Sequence, residues 1–166
     1  MISRILGLIF VMIFSLRVSA GVFIEPVVGY AMGGPENSST SYDSTGLMYG
    51  GRGGFSTMGF DIGAEYLMGQ LEWEKGGVTT NADHTYISAY VGYSLPVMLG
   101  VRAGYVFSNK YKTSSGENTG SGFSLGVAYS VMPFVKLNFD YKMLKYDDNS
   151  VKDNEMFFSL SAPIGF

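Results

Sequence analysis

The sequence predicts an all-β fold, an eight-stranded antiparallel up-and-down transmembrane β-barrel. Three observations carry that expectation. Eight segments alternate apolar and polar residues with the period of two that sends successive side chains to opposite faces of a sheet. The connections between them are short and long in turn. The chain also combines 23 glycines in 166 residues with 15% aromatics, and beyond its first residues nothing approaches the roughly 20 apolar residues of a spanning helix.

The first 20 residues read as a secretory signal peptide. Arg4 supplies the positive start, Ile5 to Phe14 is apolar but for Gly7, and Val18-Ser19-Ala20 leads to a cut between Ala20 and Gly21. The apolar run is too short to cross about 30 Å of hydrocarbon. Residues 21–166 then form one barrel domain. Without Arg4 and Arg17, the 11 basic residues become nine against 14 acidic ones, a net charge of −5, which argues against a nucleic-acid partner. With no cysteine there is neither a disulfide framework nor a lipidated thiol.

The first strand, Val22 to Met32, sets Val22, Ile24, Pro26, Val28 and Tyr30 against Glu25 and Gly29. The second, Leu47 to Phe55, turns Leu47, Tyr49 and Phe55 one way and Met48, Gly50, Arg52 and Gly54 the other. The third, Phe60 to Trp73, opposes Phe60, Ile62, Ala64, Tyr66 and Met68 to Asp61, Gly63, Glu65 and Gly69. The fourth, Thr85 to Leu95, carries Ile87, Ala89, Val91 and Tyr93 opposite Ser88, Tyr90, Gly92 and Ser94. The fifth, Leu99 to Phe107, opposes Leu99, Val101, Ala103, Tyr105 and Phe107 to Gly100, Arg102 and Gly104. In the sixth, Phe123, Leu125, Val127 and Tyr129 face away from Gly122, Ser124, Gly126, Ala128 and Ser130. The seventh separates Val135, Leu137, Phe139, Tyr141 and Met143 from Lys136, Asn138, Asp140 and Lys142. In the eighth, Met156, Phe158, Leu160, Ala162, Ile164 and Phe166 make one wholly apolar face.

Short connections fall at Ser56 to Gly59, Pro96 to Met98 and Met132 to Pro133. Long polar loops are expected at Gly33 to Gly46, Glu74 to His84, Lys110 to Ser121 and Tyr146 to Asn154. Three short and four long connections return both ends to one side, as an even-stranded barrel requires.

Two orientations satisfy a period of two in a closed sheet: a soluble carrier with its apolar face inward, or a membrane barrel with that face outward. Face composition decides for the membrane. The polar face is rich in Gly, Ser and Ala, which suits a narrow interior and would make a poor solvated surface. The apolar face carries Tyr30, Tyr66, Trp73, Tyr93, Tyr105, Tyr129, Tyr141 and Phe166 mostly toward strand ends, as interfacial girdles do.

The inward charges form the main constellation, Glu25, Asp61, Glu65 and Asp140 against Arg52, Arg102, Lys136 and Lys142. An unpaired charge in a poorly solvated lumen costs several kcal/mol, so pairing among these eight is expected. The expected result is a plugged barrel, because eight strands leave room for little more than side chains. A gated ion path in which the pairs exchange partners is the alternative. Chemistry beyond that is sparse, and no cofactor or metal site is expected. His84, the only histidine, falls at the end of a predicted loop and reads as solvated; no serine lies within hydrogen-bond reach along its strand. Asp147, Asp148, Asp153 and Glu155 read as solvated loop charge, without EF-hand spacing. Gly50-Gly51-Arg52-Gly53-Gly54 lacks the Lys-Ser/Thr of a phosphate loop.

Taken together, the export signal, the eight alternating segments, the charged inner face and the terminal Phe166 give a chain that resembles the small outer-membrane barrel family of the OmpX/Ail, OmpA membrane-domain and opacity-protein type. The resemblance implies an integral, non-enzymatic outer-membrane protein, a monomeric platform whose loops meet lipopolysaccharide or an external ligand. It also implies that Phe158, Ile164 and Phe166 in the last strand are read by the barrel assembly machinery. Alternatives within that resemblance are a narrow conduit for small or hydrophobic molecules, as in OmpW-like proteins, and a lipid A-modifying enzyme.

Overall fold

A computed structural model describes residues 21–37, 40–41, 43–75, 78–95, 97–113, 116–146 and 152–166. The strands are β1 (Gly21–Gly33), β2 (Pro35–Asn37), β3 (Thr40–Ser41), β4 (Asp43–Thr57), β5 (Phe60–Lys75), β6 (Val78–Ser94), β7 (Leu99–Thr113), β8 (Gly116–Met132), β9 (Val135–Tyr146), β10 (Lys152–Ser161) and β11 (Ile164–Gly165). Every pairing is antiparallel, and each long strand pairs with the next in sequence. Closure comes from β1, which pairs with β4 on one side and with both β10 and β11 on the other. Strands β10 and β11 form one stave interrupted at Ala162-Pro163, so the barrel has eight staves. The small strands β2 and β3 extend the first long connection over β10, with Glu36 opposite Lys152.

The outward face is the apolar one. Val28, Leu47, Ile62, Val91, Phe123, Leu137 and Leu160 are exposed, whereas Arg52, Glu65, Asp140 and Lys142 are buried. Phe139 and Tyr141 stand outside with them. Tyr30, Tyr66, Tyr93, Tyr105, Tyr129 and Phe166 also face outward. Trp73 lies near the end of β5, opposite Thr80; its side chain lies outside the described residues.

Three of the four expected long loops are largely strand. Strands β2 and β3 and the start of β4 take up most of Gly33 to Gly46, and the ladder carries on until Lys75 faces Val78 and Thr113 faces Gly116. The reason is a change of environment along each stave. Above Met68, Ile87, Phe107, Met143 and Met156 the outward positions turn polar, with Gln70, Glu72, Asp83, Lys110, Lys112, Lys145 and Lys152 all exposed. Inward positions at that height turn apolar, with Leu71, Ala82, Tyr111, Leu144 and Tyr146 buried. The lower storey is therefore an inside-out barrel suited to lipid, and the upper storey is an ordinary barrel with a core and a wet surface.

Candidate functional site in the lumen

The lower storey is organised by Arg52, which β4 carries on its inward face. Its guanidinium reaches three strands: Nη1 donates to Glu25 Oε1 at 3.0 Å, Nε to Glu65 Oε1 at 2.7 Å and Nη2 to Asp140 Oδ2 at 3.2 Å. Glu25 and Glu65 are its direct neighbours in register on either side. Asp140 comes from across the barrel and is held on its other side by Arg102, through Nε at 2.8 Å and Nη2 at 2.8 Å. This bidentate geometry is the strong form of the contact. Lys136 Nζ lies 3.3 Å from Glu25 Oε2. Gly126 is needed here, since a Cβ at that position would lie 2.8 Å from Arg102 Nε and would also press on the Asp140 carboxylate.

Six of the eight predicted charges thus meet in one network, and two do not. Asp61 makes no ion pair among the described residues. It instead lines a cavity of about 260 Å³ open at the end of the short turns, together with Glu25, Tyr90, Arg102 and Lys136. Its register partner is Gly92, which separates it from Arg102 by one strand. Lys142 pairs with none of the four predicted acids; its Nζ lies 2.5 Å from Glu155 Oε1, with both side chains about 1% exposed. The same ammonium sits over the Tyr86 ring, 3.8 Å from its centroid, and 5.0 Å from that of Phe157.

Glu155 and Asp153 are therefore not solvated loop charges, and His84 is not a solvated loop residue. All three are buried in the upper storey; Asp147 and Asp148 lie outside the described residues. His84 Nε2 lies 2.5 Å from Asn109 Oδ1, and the Asn109 amide nitrogen donates to the Tyr146 hydroxyl at 3.1 Å. Since the amide oxygen can only accept, Nε2 carries the ring proton. Burial lowers the pKa of His84, which favours the neutral ring. The ring stacks on Tyr111 at 4.2 Å. The Tyr111 hydroxyl lies 3.3 Å from an Asp153 oxygen and 3.2 Å from a Glu155 oxygen, and the two carboxyl groups share its single proton as acceptors. Asp153 also accepts from the Tyr146 hydroxyl at 3.1 Å and from the backbone of Gly34 at 3.1 Å, which ties the first long connection to the last stave.

A β-bulge makes this arrangement possible. Between Val106 and Asn109 strand β7 carries one residue more than β8, and the same extra residue shifts its register against β6. Inward parity thereby switches from Arg102, Gly104 and Val106 to Asn109 and Tyr111. Without the bulge, Lys110 and Lys112 would point inward and the polar network would lose two members.

Asp153 lies beyond the apolar band, and its carboxyl is pushed up to about 6, chiefly by burial and then by the neighbouring Glu155. Its folded pKa stands above the ordinary 3.8, so its contribution to stability is complete below about pH 4 and is lost as pH rises through about 6. Asp153→Asn is expected to remove that slope and to stabilise the barrel at pH 7 by about 1–3 kcal/mol. Urea unfolding in lipid vesicles between pH 4 and 8 checks this; an unchanged slope would show that the proton resides elsewhere.

A closed eight-stave antiparallel barrel with an apolar exterior and a charge-paired interior defines a transmembrane β-barrel, the kind found in bacterial outer membranes. Residues 6–163 match the family model described as outer membrane protein beta-barrel domain, and the chain belongs to that family, which places it in the outer membrane. Among solved structures it is similar to Ail, the attachment invasion locus protein of Yersinia pestis, with 13% identity, a TM-score of 0.62, and coverage of 87% of this chain and 99% of Ail. It is also similar to Neisserial surface protein A, with 17% identity, a TM-score of 0.56, and coverage of 87% and 98%. At these identities the likeness is one of fold. Among curated proteins none matches the chain.

Proposed function

We propose that this protein is a non-enzymatic platform of the outer membrane, exported by cleavage near Ala20, whose outward-facing end engages lipopolysaccharide and external ligands. The filled lumen carries this reading. From Met48 and Leu67 through Tyr86, Phe157 and Lys142 to Tyr111, the interior side chains are fully buried, and eight strands enclose little more than this. The only histidine, the usual first candidate for acid-base work, is buried and hydrogen-bonded to Asn109. Closure leaves none of the eight staves with an unpaired side among the described residues, which favours a monomer. The outward placement of Phe158, Ile164 and Phe166 suits recognition of the last stave by the barrel assembly machinery.

The outer surface of the upper storey supports an anionic partner. Lys145 and Lys152 are directly opposite one another on β9 and β10, both exposed, just above the apolar band. Glu36 stands opposite Lys152 on its other side, and an anion bridging the two lysines would relieve their repulsion; a position just above the apolar band suits the phosphates of lipid A. Ail was crystallised with the heparin analogue sucrose octasulfate, an anion-rich ligand of the same general chemistry.

Single-channel recording in planar bilayers tests the platform against the conduit. No conductance of porin size is expected for the purified protein. A stable open state of that size would reject the filled lumen as the basis of its function.

A further inference from the structure

The end of the barrel that carries the short turns is apolar to an extent that an aqueous periplasm does not explain. Met58 is 71% exposed, Met98 62%, Val97 64% and Phe134 61%. No charged residue occurs in 53–60, 94–101 or 128–135. The first charges on the adjoining strands, Asp61, Arg102 and Lys136, line the cavity inside. Contiguous exposed apolar surface of this kind marks contact with something other than water.

The backbone supplies a second, independent sign. Met58 has φ 50° and Met98 φ 62°, the left-handed region where L side chains meet a steric penalty and asparagine or glycine meets least. In the turn between β4 and β5, Met58 precedes Gly59 at φ 83°, a pair of positive values for which Asn-Gly is the usual sequence. At both turns an apolar side chain stands where an unstrained polar one would serve a solvated loop.

Hydrophobic matching indicates what covers these side chains. On staves that end in a short turn, as from Leu47 to Phe55 or from Val135 to Met143, the outward apolar positions span eight residue steps, against ten from Val22 to Met32 on β1, which has no turn at that end among the described residues. At about 3.4 Å per step and a tilt near 45° the eight-step rows reach roughly 19 Å and the β1 row roughly 24 Å, so the turn-linked staves fall short of the apolar band of about 25 Å typical of such barrels. Including the turns extends the span by roughly 5 Å on the same geometry. We propose that the three short turns are sunk into the periplasmic leaflet, with Met58, Val97, Met98 and Phe134 in contact with phospholipid acyl chains and glycerol. The occupant is lipid because the patch is continuous with the lipid-facing band through Phe55, Phe60, Leu99 and Val135.

Two measurements test this. Met58→Asn and Met98→Asn relieve backbone strain, so in water they would leave stability unchanged or raise it. In vesicles of phosphatidylethanolamine and phosphatidylglycerol each is instead expected to lower the folding equilibrium constant by on the order of tenfold, from the lost burial of an apolar side chain. In a Trp73→Phe background, Phe134→Trp is expected to be quenched by lipids brominated high on the acyl chain and protected from aqueous acrylamide. Neutral or stabilising Met→Asn substitutions, together with acrylamide-accessible Trp fluorescence, would overturn the proposal and leave the rim as a surface for a periplasmic protein.

Discussion

Replacing Arg52 by methionine is expected to cost about 3–5 kcal/mol of stability in lipid, the range for removing one partner of a buried ionic group. The expectation follows from an uneven distribution of partners. Glu25 retains Lys136 and Asp140 retains Arg102, whereas Glu65 has no ion pair other than Arg52 among the described residues. The uncompensated charge is therefore Glu65. Methionine fills a comparable volume, which minimises the cavity contribution. A second substitution separates charge from packing: Arg52→Met with Glu65→Gln should recover at least half of the loss, because the orphaned charge is gone. Equilibrium unfolding in vesicles, read by heat-modifiable gel mobility, measures both. An equal loss in the single and double variants would mean that Arg52 acts by its shape.

The lower storey was legible in the sequence because lipid enforces a simple rule. Every outward side chain between the turns and Met68, Ile87, Phe107, Met143 or Met156 must be apolar, and alternation then assigns the inner set without ambiguity. Glu25, Arg52, Glu65, Arg102, Lys136 and Asp140 followed directly. The upper storey was illegible because the rule reverses there. Once the outward face meets water, Gln70, Glu72, Asp83, Lys110, Lys145 and Lys152 interrupt the apolar rows, and the segments look like loop. The signal that survives is apolar alternation of opposite parity, visible in Leu67 and Leu71, in Ala82 and Tyr86, and in Leu144 and Tyr146. The bulge at Phe107 hides it further in β7, since a one-residue insertion exchanges the faces. His84, Asp153 and Glu155 were misplaced for this reason, and Lys142 was paired with the wrong acids.

That correction makes Lys142 the second point of high sensitivity. Lys142→Met is expected to destabilise the barrel by about 3–5 kcal/mol, again because one member of a buried pair is left behind. Among the described residues Glu155 then keeps the Tyr111 hydroxyl at 3.2 Å and the neutral ring of His84, whose Nε2 is 4.0 Å away. The methionine thioether can still lie on the Tyr86 ring that the ammonium now covers. Two outcomes are open to the orphaned carboxylate, and both take up a proton: Glu155 becomes neutral, or His84 becomes charged and replaces the lysine. Either makes the variant bind more protons when folded, so its stability should fall with rising pH near neutrality. Lys142→Met with Glu155→Gln removes both charges and should restore most of the stability, without the new pH slope. A Lys142→Met barrel as stable as the parent at pH 8 would show that Glu155 reaches water, and the upper storey could not then be the dry core on which a sealed lumen depends.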